Sequence, residues 1–282
     1  MIIRKELSIE GKHSKNILLD FRYQESNTKN PVIIFCHGFK GFKDFACFNL
    51  LADFFAMNGY LFLKFNFSHN GTTPEFPTDF VDLDAFSKNT FSIELDDLET
   101  VIDVILDSKN EHFRDLIDDS DVSLIGHSRG GGIAILKAFE DTRIKKLITW
   151  ASVNQFGYFW DEQVMTQWKL DGIRYEMNGR TKQKMPMLSN IYEDLEKNKT
   201  RLDIPFAIKN LRKPFLAIHG DKDETVRVEK AIQMKEWNEA VTIKIIEGAN
   251  HTFDGKHPWE DLELPQNSME LAEQSLFFIK SP

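Results

Sequence analysis

The sequence predicts an α/β protein: a doubly wound, mostly parallel sheet with a small insertion between its later strands. Three observations carry this. Six short apolar runs, at 32–35, 61–65, 122–125, 147–150, 215–218 and 241–246, recur at separations that leave room for a helix between most neighbours. Several of these runs are continuously apolar rather than alternating, as befits strands covered on both faces. The intervals between them carry apolar residues at helical spacing.

The elements follow in order. Residues 2–9 and 17–23 alternate as an antiparallel start. After the run at 32–35, Phe48, Leu51, Ala52 and Phe55 make one helical stripe, stopped by Asn58-Gly59, where glycine accepts a left-handed turn. After the run at 61–65, Leu95, Leu98, Val101, Ile102, Ile105 and Leu106 make a second stripe with acidic residues opposite. Ile133, Leu136 and Phe139 continue the pattern after the third run. One interval breaks the rhythm, since residues 152–212 form far more than an ordinary connection. Within it, Asn178-Gly179 between 174–177 and 180–183 signals a two-residue hairpin, and Leu195 and Leu202 among charges suggest a short helix. The expectation is one domain over 1–282 with a cap insertion at 152–212.

Composition narrows the function classes. The chain has 282 residues and a formal net charge of −9, which argues against a nucleic-acid partner. No stretch reaches the ~18 apolar residues of a membrane span. The first residues lack the apolar core of a secretory signal, so a cytoplasmic protein is expected and the sequons at Asn66, Asn198 and Asn250 carry little weight. Cys36 and Cys47 suggest no disulfide framework, and Cys36 reads as a buried thiol. Neither paired metal-ligand spacing nor a phosphate-cradling loop is present, so no cofactor or metal is expected. The expected partner is a small-molecule ester, with room left for a homodimer.

The chemistry concentrates at four strand ends. Gly126-His127-Ser128-Arg129-Gly130 has the G-x-S-x-G pattern between a predicted strand and a predicted helix. A sharp turn of this kind exposes a serine hydroxyl, and its glycines admit close backbone approach. His219-Gly220-Asp221-Lys222-Asp223 follows the fifth run, Glu247-Gly248-Ala249-Asn250-His251 follows the sixth, and His37-Gly38-Phe39 follows the first. Ligands in such sheets gather beyond the carboxyl ends of the strands.

With these motifs in their chain order, serine then acid then histidine, the chain resembles the α/β-hydrolase superfamily along nearly its whole length. The resemblance implies a catalytic Ser128-Asp223-His251 triad, with His251 the base toward Ser128 and Asp223 orienting the imidazole. It also implies an oxyanion hole made by the backbone N–H groups of Phe39 and Arg129. Asp221 lies in the same turn as Asp223 and reads as a turn-stabilising side chain. His257 competes with His251 but stands further from the strand end, before Pro258. His37 and His219 read as packing or hydrogen-bonding groups.

The insertion is rich in large side chains: Phe156, Tyr158, Phe159, Trp160, Met165, Trp168 and Tyr175. Most are expected to form its own core, with Trp160, Trp168 and Tyr158 as candidate substrate-binding residues. The segment from Asn178 through Met185-Pro186 to Arg201-Leu202-Asp203 is similar to the small cap of bacterial cinnamoyl and feruloyl esterases and of dienelactone-hydrolase-like proteins. That likeness implies hydroxycinnamoyl or other small to medium acyl esters. The chain departs from dienelactone hydrolases in having Ser128 where they have cysteine, and Asn250 stands where glycine often precedes the base. The expected function is a serine carboxylic-ester hydrolase acting through an acyl-enzyme. The same residues would serve an aminopeptidase, acyl-peptidase or thioesterase, and Glu162, Glu176, Glu193 and Asp194 are the acids a free-amine-selecting peptidase would use. A hydrolase-fold protein that only binds is the remaining class.

Overall fold

The structure, a computed structural model, describes residues 1–158 and 160–281, and ten strands and nine helices lie among these described residues. Phe159 therefore lies outside the described residues. β1 (Ile2–Glu10) and β2 (Asn16–Gln24) pair antiparallel in the register Ile2 to Gln24 through Glu10 to Asn16. Then come β3 (Asn30–Cys36), α1 (Phe48–Met57), β4 (Leu61–Asn66), α2 (Leu83–Lys88), α3 (Phe91–Leu106), β5 (Ile117–His127), α4 (Arg129–Glu140) and β6 (Ile144–Trp150). Between β6 and the next strand of the same sheet lie α5 (Glu162–Asp171), β7 (Ile173–Met177), β8 (Lys184–Leu188), α6 (Asn190–Lys197) and α7 (Ile204–Asn210). β9 (Phe215–Gly220), α8 (Glu229–Trp237), β10 (Thr242–Ile246) and α9 (Gln266–Lys280) complete the chain.

The main sheet has the order β1-β2-β4-β3-β5-β6-β9-β10, and every pairing from β4 to β10 is parallel. The doubly wound, mostly parallel sheet read from the sequence is therefore present. Its central strands carry apolar residues on both faces because they feed two cores. Val32, Ile34 and Cys36 of β3 face one core with α3 and α4, while Ile33 and Phe35 face a second with α1 and α9. β5 divides the same way, Leu124 to the first side and Ile125 to the second. The stripe read from Leu95 to Leu106 lies in α3, which starts four residues earlier, at Phe91, because Thr90 caps it, its hydroxyl accepting from Ile93 N at 3.2 Å. Both cysteines are buried and unpaired.

Three local expectations need correction. The Asn178-Gly179 hairpin forms, but β7 and β8 close with Met177 opposite Lys184, so six residues rather than two make the connection. The Asn178 side chain explains this, since it accepts from Arg180 N (3.0 Å) and Thr181 N (3.3 Å) and winds the chain into a wider turn. Leu202 is not in the helix with Leu195: α6 ends at Lys197, and a separate α7 starts after Asp203 caps Phe206 N at 2.9 Å. Finally, β4 is not purely apolar. Lys64 is fully buried in it and donates to Asp20 (2.7 Å) and to Asp44. Lys43, also fully buried, donates to Glu6 (2.7 Å) and Asp44 (2.5 Å), and Arg22 joins Asp20 to Asp53. Burial pulls the Lys64 amine below its ordinary range, while the cations hold Asp20 and Asp44 below theirs against burial. Among the described residues, no helix is long and apolar enough to cross a membrane.

Candidate active site

Ser128 sits between β5 and α4 in a conformation few residues adopt, φ 55° and ψ −121°. The turn is fixed on both sides: Ser128 N donates to Trp150 O at 2.9 Å, and its carbonyl accepts from Gly131 N at 3.0 Å. Glycine is needed at 126 because a Cβ there would stand 2.4 Å from the carbonyl oxygen of Gly130. Gly38, after β3, also comes close, since a Cβ on it would lie 2.9 Å from the Ser128 Cβ. That approach brings Phe39 to the rim of the same cleft.

Ser128, His251 and Asp223 lie in one hydrogen-bonded line. His251 Nδ1 is 2.8 Å from Asp223 Oδ2, and His251 Nε2 is 3.0 Å from Ser128 Oγ. With Nδ1 donating to the carboxylate, Nε2 is left to accept from the serine hydroxyl. Asp223 Oδ1 meanwhile accepts from Thr225 N and Val226 N, each at 2.8 Å. Burial works to raise the Asp223 pKa. Hydrogen bonds from His219, His251 and Val226 N, with the charge of His251, outweigh it and hold the carboxyl well below the usual range. A hydroxyl donating to an imidazole whose far nitrogen is held by an ionised carboxylate can give up its proton as it attacks a carbonyl.

The other candidates sort themselves by contact. Asp221 accepts from Gly248 N at 2.6 Å and so ties the turn after β9 to the one after β10. His257 accepts at Nδ1 from Ala46 N (3.1 Å) and stacks on Phe45. His37 donates from Nδ1 to Gly38 O (2.9 Å) and accepts at Nε2 from Phe67 N (3.2 Å). His219 Nε2 shares its one N–H between Val226 O at 2.7 Å and Asp223 Oδ2 at 3.3 Å. Burial pushes His37 down to about 4, and burial with the nearby His251 pushes His127 down to about 3, so both rings are neutral. Asn250, in place of the glycine, accepts from Thr252 N and Asp254 N at 3.0 Å each and shapes the loop that presents His251.

A cavity of about 440 Å³ opens over Ser128 and His251. Phe39, Phe91, Arg129, Phe156, Trp160 and Met187 are among the residues that line it. Of the three aromatic residues proposed from sequence, Trp160 lies on the wall. Trp168 does not: its ring packs edge-on behind Trp160 at 5.2 Å, and its Nε1 donates to Met187 O at 2.9 Å. Tyr158 is also off the wall, with Lys230 Nζ 4.3 Å from its ring, and burial beside Asp223 pushes its phenol up to about 12. Lys40, Phe91, Arg174 and the Arg129 side chain line the cavity without having been marked by any sequence motif. Of the four acids a peptidase would use, Glu176 lines it and is paired with Arg174 at 2.8 Å. A larger groove of about 1070 Å³ is lined by residues of α1 and α9 and holds neither Ser128 nor His251. Among the described residues, no cluster of three or more His, Cys, Asp or Glu is arranged to hold a metal.

Comparisons with known proteins agree with the architecture. The BD-FAE family model matches residues 19–238. A protein of Mycoplasma genitalium named as an esterase/lipase is 27% identical over 229 residues, taking in 78% of this chain and 73% of that one. An uncharacterized 31.7 kDa protein from the traX-finO intergenic region of Escherichia coli is 29% identical over 142 residues, and the match takes in only 43% of that relative's length. Among solved structures, Est1E from Butyrivibrio proteoclasticus superposes with a TM-score of 0.68 at 17% identity, covering 98% of this chain and 99% of that one; it has also been solved with ferulic acid bound. The likeness shows the α/β-hydrolase fold.

Proposed function

The chain belongs to the BD-FAE family of esterase-like hydrolases, and from that premise we propose that it is a serine carboxylic-ester hydrolase working through an acyl-enzyme on Ser128. The observation that carries the reading is the line Ser128 Oγ, His251 Nε2, His251 Nδ1, Asp223 Oδ2, with spacings of 3.0 and 2.8 Å, in the wall of the cavity of about 440 Å³. His251 takes the Ser128 proton as Oγ attacks the ester carbonyl and returns it to the departing alkoxide. Asp223, held ionised, fixes the imidazole tautomer and stabilises the imidazolium. The N–H groups of Arg129 and Phe39 face the developing oxyanion; each such donor is worth about 2.7–4 kcal/mol in related chemistry. Water, activated by the same imidazole, then releases the acid.

The residues between β6 and β9 act as the cap over this cleft, with Trp160 and Phe156 supplying apolar wall. The cavity suits a small to medium acyl group. The ferulate-bound structure of Est1E makes hydroxycinnamoyl esters the first substrates to try. An amide or thioester substrate is the competing reading on the same three residues. The pairing of Glu176 with Arg174 weakens its peptidase form, because it removes the free acid that would bind an amino terminus. A fluorophosphonate probe with peptide mapping tests the proposal: the expected adduct is on Ser128, and a folded chain that stays unmodified there contradicts it.

A further inference from the structure

The wall of the cavity beside Ser128 has a cation whose hydrogen-bonding capacity is unspent. The Arg129 side chain is only 12% exposed, and the carboxylate nearest it, Glu94, stands off at 3.5 Å from Nε. Nε itself is buried without a hydrogen-bond partner, and among the described residues the guanidinium makes no hydrogen bond. A guanidinium carries five N–H donors in a planar fork that matches a carboxylate edge to edge. Its face rests on the Phe39 ring at 4.0 Å, with Phe91 at 5.6 Å, which holds the plane in place and leaves the in-plane donors without a hydrogen-bond partner. A buried charge so poorly paired is costly unless a ligand completes it.

Two more cations share the wall. Lys40 Nζ spends one donor on Met177 O at 3.0 Å, and Arg174 has Nη2 on Glu176 at 2.8 Å while its buried Nη1 has no partner. Glu176 is the one carboxylate among the described lining residues. Arg129, Lys40 and Arg174 against Glu176 and Glu94 leave one positive charge unmatched. The remaining wall, from Phe91, Phe156, Trp160, Val153 and Met187, is apolar.

We propose that the ester taken by this cavity itself carries a carboxylate, gripped by Arg129 and Lys40 while the ester carbonyl lies at Ser128 and the carbon chain lies along the aromatic wall. The proposal rests on the serine-esterase reading of the site. Arg129 then has two separate parts to play, its backbone toward the oxyanion and its side chain toward the substrate's charge.

The test is equilibrium binding by calorimetry to full-length protein carrying Ser128→Ala, which holds esters without turning them over. Monomethyl adipate, with one carboxylate, is compared with dimethyl adipate. The monoanion is expected to bind at least about ten-fold tighter, as a hydrogen bond to a charged partner allows, and the preference is expected to shrink as salt screens Lys40. Adding Arg129→Gln is expected to cut the preference to below about three-fold, while Arg129→Lys retains part of it. Should Arg129→Gln fail to fold because it strands Glu94, Lys40→Gln on the open side has the same direction of effect. Equal binding of the two adipates, or a preference that survives both substitutions, overturns the proposal. Wild-type hydrolysis of 4-nitrophenyl hemiglutarate and of 4-butyryloxybenzoate, each against its uncharged analogue, then places the carboxylate on the acyl or the alcohol side. Hydrolysis of neutral esters with no anion preference removes this inference alone. A binding preference in a chain that hydrolyses no ester removes the esterase reading and leaves the anion site standing.

Discussion

The ring of His127 donates from Nε2 to the backbone carbonyl of His251 at 2.9 Å, so the residue before the proposed nucleophile holds the loop that presents the proposed base. The two imidazoles lie 4.9 Å apart, and the His127 ring packs edge-on against Phe48. This makes His127 a positioning residue. Replacing it by alanine is expected to lower kcat by about 10- to 100-fold, the size of effect that follows a misplacement of ~1 Å, with KM changed far less. Steady-state kinetics on a 4-nitrophenyl ester check it, and equal losses in kcat and affinity would speak for general disruption instead.

Asp223→Asn keeps the shape of the turn but loses the charge. The amide oxygen still accepts from the two backbone N–H groups, so the amide NH2 faces His251 Nδ1 and favours the tautomer protonated at Nε2, which cannot accept from Ser128. The expected loss is about 10⁴-fold in kcat, by analogy with the same change in a well-studied triad. Because hydrogen bonds keep the Asp223 carboxyl far below its ordinary value, its stabilising effect is complete above about pH 4. It is lost only as pH falls from there toward the folded-state value, and therefore cannot explain any change near neutrality.

The buried histidines give a different pH signature. His37 and His127 are neutral in the fold with pKa values near 4 and 3, and an unfolded histidine titrates near 6.5. Below about pH 6.5 the unfolded state binds protons that the folded state refuses, so stability falls as pH drops toward 4 and is fully present above 6.5. At pH 5 the cost is about 1–2 kcal/mol for each ring. Comparing wild type with His37→Asn by urea denaturation at pH 7.5 and pH 5 measures the His37 share, because His69, pushed down to about 4, and Asp97, pushed up to about 7, also change stability over this range. The variant is expected to lose less stability on acidification.

Lys64→Met is expected to destabilise the protein by about 3–5 kcal/mol, because it leaves Asp20 and Asp44 buried with their main cation gone. Chemical denaturation checks the magnitude. A gain in stability would mean that the buried charges cost more than they return.

How much of this was legible in the sequence follows from which signals are local. The strand at 32–35 could be read because burial on two faces demands unbroken apolar residues, and the one at 122–125 because Ser123 alone interrupts its apolar residues. The G-x-S-x-G turn was legible because only glycine tolerates the contact between residue 126 and the Gly130 carbonyl. Lys64 was hidden because its neutralising partners come from β2 and from the loop after β3, which no window around β4 contains. The hairpin turn misled because Asn178 hydrogen-bonds forward to Arg180 and Thr181 instead of entering a two-residue turn. Trp168 and Trp160 look equivalent in sequence, and only the packing of α5 sets one behind the other. For Arg129, the motif points to its backbone, while the placement of its guanidinium on Phe39 depends on a residue 90 positions earlier in the chain.

The central claim is that Ser128 is the nucleophile of an ester hydrolase, and kcat/KM on 4-nitrophenyl butyrate and methyl ferulate, for wild type and Ser128→Ala, tests it most directly. The account predicts saturable turnover by the wild type and a loss of roughly 10⁴-fold or more in kcat for the alanine variant. The variant's unfolding midpoint in urea should correspond to a stability within about 0.5 kcal/mol of wild type. Undiminished hydrolysis by Ser128→Ala would contradict it.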